Sequence, residues 1–551
     1  MSEHRNLDEA APGEGIADAD EPREPGRAGR LARSTAMFSA ATGLSRIAGL
    51  VREVVAASYF GVTAQMSAFT IAFQVPNLVR SLFADAAIQA AFVPIFTEQL
   101  EQGNRREAFR LASSLIFLVG LILGALTALF ILLAPVVMPL FVPDRYMDVE
   151  DLTVSLSRLL FPIILLLGTT GMVVGILNSF DRFGAFAIAP FFWNVVIIAV
   201  LAGLAPAFPK EDEIYAYAIG VLAGTLVQLA IPVWDLRKTP FGLRRAVAAI
   251  FSFKRADWRD SNVRRILVLM LPVTISLGLI NINLLINSTV GFLVSEQAPA
   301  AIDKAFRIYM LPQGVFSVAI ATVLFPTLAR LAARADIDRL RSTMANGIRQ
   351  ILLLLIPAAA SILVLAEPMT RLVYERGVFD AASTDLVSEA LFWFAVSLPA
   401  SGVFLLQTRT FFSLQRPWVP TLVGAANLVI TAVAALMLYK PYGVGGIVAA
   451  TSLATIMSVI VGGVILHGAL GRLELGQMIW SGSRILLSAA VLAAVSYFAW
   501  EALDDALGRG LAGQIVSLGV ALGAGAVVYG IALTLLRVPE MSQVLDIFRR
   551  R

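Results

Sequence analysis

The sequence predicts an all-α polytopic membrane protein of fourteen transmembrane helices: two parallel-repeat six-helix lobes around a central cavity, plus two extra C-terminal helices. Three observations predict it. The 551 residues are 58% hydrophobic and 15% charged with a mean hydropathy of +0.78, whereas soluble domains carry about 25% charged residues. The apolar residues fall in long continuous runs near the roughly 20 residues that cross a bilayer; β-barrel strands would alternate over about ten. A faint internal repeat relates the two halves at an offset of 232 to 236 residues.

Taken in order, residues 1–33 are rich in Glu, Pro, Gly and Arg without an apolar run, and read as a disordered cytoplasmic tail rather than a cleaved signal. Fourteen spans follow, near 34–59, 65–96, 111–141, 153–177, 186–206, 215–235, 264–292, 305–330, 348–367, 387–412, 419–438, 444–467, 483–501 and 513–536. The repeat pairs PNLVRSLFADAAIQAAFVP (76–94) with PQGVFSVAIATVLFP (312–326), and RFGAFAIAPFFWNVVI (182–197) with RPWVPTLVGAANLVI (416–430). Equivalent lobes of six spans return the chain to the side where it began, so the copies are parallel, a transporter architecture. The expected domains are an N-terminal lobe (34–236), a basic cytoplasmic linker (237–263), a C-terminal lobe (264–467), a span 13–14 pair (468–537) and a cytoplasmic tail (538–551).

Charge sets the orientation. Nine Arg or Lys lie between Arg237 and Arg265, and five Arg between Arg330 and Arg349, whereas SEQAPAAID (295–303) and KEDE (210–213) are lean or acidic. The positive-inside rule puts both termini in the cytoplasm. Cysteine is absent and histidine occurs twice, which disfavours disulfides and Cys/His metal sites. No P-loop or nucleophile motif is present, so ATP hydrolysis and covalent catalysis are not expected; the energy source reads as membrane potential or an ion gradient.

Against this background Arg46, Arg52, Glu53, Arg80 and Arg307 stand out, because they lie in or beside apolar spans where facing lipid is unfavourable. They are expected to border a cavity. Arg46 and Arg52 sit about 120° apart around one helix, close enough to line one broad cleft. Pro76, Pro312 and Pro326 read as helix-shaping residues. Four arginines against one nearby glutamate leave positive charge for an anion, and the guanidinium fork suits phosphate or pyrophosphate. Arg80 alone reads equally well as an interfacial snorkeler. The termination of span 4 accounts for Asn178 and Arg182, and Tyr374 to Gly377 are expected to organise an outer loop.

SRIAGLVRE, PNLVRSLFADAAIQAAFVPIF, GILNSFDRFGAFAIAPFFWN, KAFRIYMLPQGVFSVAIATVLFPTLA and LVYERGVF together resemble the MviN/MurJ family of lipid II flippases, in the multidrug/oligosaccharidyl-lipid/polysaccharide exporter superfamily. The resemblance covers about residues 34–467 and continues less specifically to 536. It implies a bacterial inner-membrane protein of cell-wall biogenesis that carries the undecaprenyl-pyrophosphate-linked peptidoglycan precursor outward by alternating access. It further implies cavity arginines at Arg46, Arg52, Arg80 and Arg307, a lipid-exposed groove on the last helix pair, and partners among cell-wall synthesis proteins but no nucleic acid.

The departures are local. Glu53 stands where the family usually has Asp, Ser67 replaces an Asp, Asp85 replaces a Glu, and Phe306 replaces an acidic neighbour of Arg307, with Asp303 one turn earlier. Glu53 and Asp85 are expected as gate or ion-pair partners. A sodium site described for some members would fall on Asn427 and Thr431, where the carboxylate is lost. Alternatives are a flippase for another polyprenyl-pyrophosphate-linked glycan, a cation-coupled drug exporter, which would carry a more acidic or aromatic cavity, and a noncatalytic membrane scaffold.

Overall fold

The computed structural model describes residues 27–83, 86–250, 282–471 and 475–541, and every regular element among them is helical. The first half runs α1 (Arg27–Phe60), α2 (Ala64–Phe83), α3 (Ala86–Glu101), α4 (Arg105–Val137), α5 (Met147–Leu160), α6 (Pro162–Asn178), α7 (Gly184–Leu204), α8 (Glu213–Asp235) and the short α9 (Leu243–Ile250). The second half runs α10 (282–291), α11 (Ala298–Pro312), α12 (Val318–Ala333), α13 (Ile337–Tyr374), α14 (Ala381–Ser413) and α15 (Trp418–Leu470), and ends with α16 (Leu475–Leu507) and α17 (Leu511–Leu535).

Ten helices among the described residues are long and apolar enough to cross a membrane. They contain eleven of the expected spans, because the 53-residue α15 holds two, broken at Gly443, whose φ of 53° and ψ of −136° leave the helical region. The first span has the length in α1, but Arg46, Arg52 and Glu53 lower its apolar content. Most of the seventh span and the second part of the basic linker, from residue 251, fall outside the described residues. In α13 the non-helical Leu365 lies three residues before Pro368, whose missing N–H and ring disrupt the preceding turn.

Packing follows two sets of helices. In the first half α7 packs on α1 and α8, α2 on α5, and α6 on α4 and α8; in the second α14 packs on α11, α12, α13 and α15. The sets meet where α2 touches α11 and α1 touches α13. Ser67 marks the first junction, fully buried on α2 with its Oγ accepting the Ala300 N–H of α11 at 3.2 Å. Rings of Phe60, Phe69 and Tyr217 lock α1, α2 and α8 beside it, with Phe69 and Tyr217 centroids 4.5 Å apart.

The α16–α17 hairpin docks on α13 through polar staples. Tyr529 Oη donates to Leu353 O at 2.7 Å, Arg349 Nε lies 2.8 Å from Glu540 Oε1, and Arg371 pairs with Asp504. Between apolar helices such bonds specify where a hairpin sits, since lipid competes on equal terms for its greasy face.

Candidate functional site

Where α1 meets α11, five charged side chains converge. Glu53 of α1 is 5% exposed and sits at the centre. Arg52 Nη2 donates to its Oε1, Arg307 Nε lies 3.8 Å from the same oxygen, and Lys304 Nζ lies 3.7 Å from Oε2. Arg307 also forks onto Asp303, Nε donating to Oδ2 at 3.2 Å and Nη2 to Oδ1 at 3.4 Å. Helical spacing makes this fork: Asp303 and Arg307 are four residues apart on one face of α11.

The surroundings fix each cation. Arg52 lies 4.6 Å over the Trp193 ring of α7, whose Nε1 donates to Thr225 Oγ1 of α8 at 3.1 Å. Lys304 is fully buried, 5.5 Å from the Tyr374 ring centre, and its backbone carbonyl accepts the Tyr374 hydroxyl at 3.3 Å. Only Arg307 among the three is substantially open, its side chain 35% exposed. Three cations thus face two carboxylates, a surplus of one positive charge in a poorly solvated place. The cavity bordered by Arg52, Glu53, Gln74, Trp193, Asp303 and Arg307 has about 20 Å³ of free space, room for about one water. In this conformation the guanidinium groups are folded onto the protein's own carboxylates.

The structure brings together Arg52, Glu53 and Arg307 of the residues singled out in the sequence. Arg46 lies apart: six residues away along α1, it is exposed, with its guanidinium beside Gly314, about 3.7 Å from where a Cβ there would stand. Gly314 belongs to the π-helical Gln313–Ser317 that directly follows Pro312 and links α11 to α12. Pro76 and Pro326 lie inside α2 and α12. Arg80 falls in α2 with its side chain outside the described residues, and Asp85 lies outside them altogether. Lys304, Trp193 and Tyr217 were not expected; Lys304 carried a signal, a lysine within KAFRIYM one turn before apolar residues.

At one end the two halves are sealed by backbone. Val378 N–H donates to Ser58 O at 3.0 Å, and Gly377, with φ of 63°, packs so closely that a Cβ would stand 2.2 Å from Ser58 O. At the other end of the first half Arg182 forks onto Asp235 at 3.0 and 3.2 Å, tying the α6–α7 turn to α8.

The sodium candidates Asn427 and Thr431 both face Asn283. Asn283 Nδ2 donates to Asn427 Oδ1 at 3.2 Å and to Thr431 Oγ1 at 3.4 Å, so both oxygens already accept from an amide. Asn287 Nδ2 donates to Asn283 Oδ1, Thr451 Oγ1 to Asn287 Oδ1, and Asn427 Nδ2 to Ser458 Oγ. This neutral chain of amides and hydroxyls stitches α10 to α15 and contains no carboxylate. Among the described residues the set offers a cation only neutral oxygens, those of Asn427 and Thr431 each accepting one bond from Asn283.

With this geometry in view, residues 56–512 match the sequence model of the family described as lipid II flippase MurJ. The chain belongs to that family. The MurJ match includes Asp303, Lys304 and Arg307 but begins just after Arg46, Arg52 and Glu53. A MurJ of Rhizobium meliloti (strain 1021), named a probable lipid II flippase, is 32% identical over 85% of this chain and 86% of its own. The fold agrees: lipid II flippase MurJ in an inward closed conformation aligns over 90% of this chain and 98% of its own at a TM-score of 0.74 and 23% identity. An inward-facing multidrug-resistance MATE transporter of the MOP superfamily aligns over 76% and 94%, at a TM-score of 0.64 and 14% identity. MurJ membership makes the chain a multi-pass, non-enzymatic flippase-family membrane protein.

Proposed function

We propose that the chain flips lipid II, the undecaprenyl-pyrophosphate-linked peptidoglycan precursor, from the inner to the outer leaflet of the bacterial cytoplasmic membrane by alternating access. Residues 34–236 and 264–467 act as the two lobes, with both termini and the basic linker in the cytoplasm, and with 468–537 adding the span 13–14 pair to make fourteen. The observation that carries the reading is the junction of Arg52, Glu53, Lys304, Asp303 and Arg307, where cations from both halves meet.

In the empty carrier Glu53 and Asp303 neutralise the guanidinium groups, and Glu53 holds the lobes together through Lys304 and Arg307. An arriving pyrophosphate first meets Arg307, the most open cation of the cluster, and then competes with Glu53 for Arg52. Paired hydrogen bonds from each guanidinium suit its oxygens. Displacing Glu53 loosens its contact with Lys304 and Arg307, so anion binding and lobe separation become linked. Arg46, beside the α11–α12 bridge, contacts the headgroup at a different depth from Arg52. Arg80 completes the basic lining, and Asp85 belongs to its polar network. The prenyl chain stays in lipid along α16 and α17, which avoids about 0.8 kcal/mol per exposed methylene. Membrane potential or an ion gradient other than sodium at Asn427 and Thr431 drives the return.

The test is appearance of labelled lipid II in the outer leaflet of cells depleted of their own flippase, with wild type, Arg46→Ala, Arg52→Ala and Arg307→Ala at matched membrane abundance. Activity in the wild type and its loss in Arg52→Ala and Arg307→Ala is the expected result. A folded wild type that moves no lipid II removes the substrate assignment; equal activity in all variants removes the arginine mechanism.

A further inference from the structure

A second cavity of about 480 Å³ lies inside the first half, between α2, α6, α7 and α8. That volume is in the range of small-ligand sites. It shares Phe73 and Trp193 with the cavity at the charge cluster, so the two spaces adjoin across one indole ring. Arg52 covers that ring from the cluster side, and Thr225, which holds its Nε1, lines the second cavity. From Trp193 the space extends to Phe186 near the start of α7 and Pro232 near the end of α8, toward the end that carries the Arg182–Asp235 pair. It therefore runs away from the Ser58–Val378 seal.

Its chemistry differs sharply from that of its neighbour. Among the described residues no charged side chain lines it; its polar groups are amides and hydroxyls, among them Asn77, Gln228 and Thr170, set between aromatic rings and aliphatic walls. This combination suits an uncharged, hydroxyl-rich ring: C–H faces pack on Phe73 and Trp193, hydroxyl and acetamido groups hydrogen-bond to side-chain amides, and an acetyl methyl meets the apolar wall. It is unsuited to a carboxylate or a second phosphate, which would be desolvated without a counter-charge.

We propose that this cavity is a sugar subsite, which receives the N-acylated hexose attached to a pyrophosphate held by Arg52 and Arg307. The proposal rests on the pyrophosphate reading of the charge cluster and adds what that cluster cannot do, recognition of the uncharged part of the headgroup. Trp193 is the shared wall, so sugar and pyrophosphate bind on either side of one residue whose position is fixed by Thr225. The subsite selects glycosylated carriers over the sugarless polyprenyl pyrophosphate.

Binding to the full-length protein in lipid nanodiscs, measured with lipid II and with undecaprenyl pyrophosphate, tests this. Ala189→Phe fills the cavity from α7, where Ala189 is a buried lining residue, and Gln228→Leu removes an amide at nearly constant volume. The expected result is that both variants weaken lipid II binding, Ala189→Phe about tenfold, with undecaprenyl pyrophosphate affinity unchanged. Should Ala189→Phe fail to fold, Gln228→Leu carries the comparison. Equal weakening for both lipids would assign the cavity to the prenyl chain and overturn the sugar subsite, as would unchanged lipid II affinity in the folded variants. Arg52→Ala is the separate control: if it leaves both affinities intact, the pyrophosphate reading fails instead.

Discussion

Lys304 Nζ lies 3.7 Å from Glu53 Oε2, joining a fully buried lysine of α11 to the central carboxylate of α1. A buried charge that loses its partner destabilises by about 3–5 kcal/mol, whereas replacing a whole pair by apolar groups is often neutral. Glu53→Gln is therefore expected to lower stability by that order, and adding Lys304→Met to restore much of it. Thermal unfolding in detergent of both variants decides: a double variant as unstable as the single one means that Lys304 does not depend on Glu53.

Gly377 controls the seal between the halves. A Cβ there meets Ser58 O at 2.2 Å from a backbone with positive φ, so Gly377→Ala must displace the turn and break the Val378–Ser58 bond. Strain of about 1–3 kcal/mol should raise labelling of a cysteine placed at Ser58 about tenfold and slow flipping. Unchanged labelling would show that the seal does not depend on this contact.

Sodium should be dispensable. Since Asn283 occupies the oxygens of Asn427 and Thr431, replacing sodium by potassium at constant membrane potential is expected to leave the flipping rate unchanged. A rate that falls with sodium removal would require the amide chain to rearrange around the ion.

Arg371 is 2% exposed and pairs with Asp504 of α16 and, at 3.4 Å, with Glu367. Arg371→Ala strands Asp504 and should destabilise the hairpin contact by about 3–5 kcal/mol. Hydrogen exchange is expected to accelerate in α16 and α17 while α7 stays protected. Uniform acceleration would make the pair a global stabiliser and not a local staple.

Asp380 caps α14, accepting from Ser383 N–H at 2.8 Å and Ser383 Oγ at 2.7 Å. These bonds hold its carboxyl below the usual range. A depressed folded-state value means that its contribution is present above the unfolded carboxylate range and lost as pH falls through the folded one. Asp380→Ala should cost about 1 kcal/mol at neutral pH, and its difference from wild type should shrink in acid. A gap that persists at low pH would assign the effect to something other than the cap.

The sequence by itself determined the class of the protein and the importance of its buried charges. Apolar runs of bilayer length dictate helices, because only internal hydrogen bonding satisfies a backbone in lipid, and arginines in such runs stand out because lipid disfavours them. Arg52, Glu53 and Arg307 were legible for that reason. Partnerships were not: Lys304 lies 251 positions from Glu53, and the KAFRIYM run around it does not say which carboxylate it meets. Arg46 and Arg52 looked alike on one helix, yet only the packing of α11 and α7 against α1 set Arg52 into the cluster and left Arg46 beside Gly314. The cavity behind Trp193 was equally hidden, since its walls are ordinary apolar and amide residues from four helices. A charge in lipid is conspicuous from sequence alone, whereas an uncharged pocket exists only where separate helices stop short of touching.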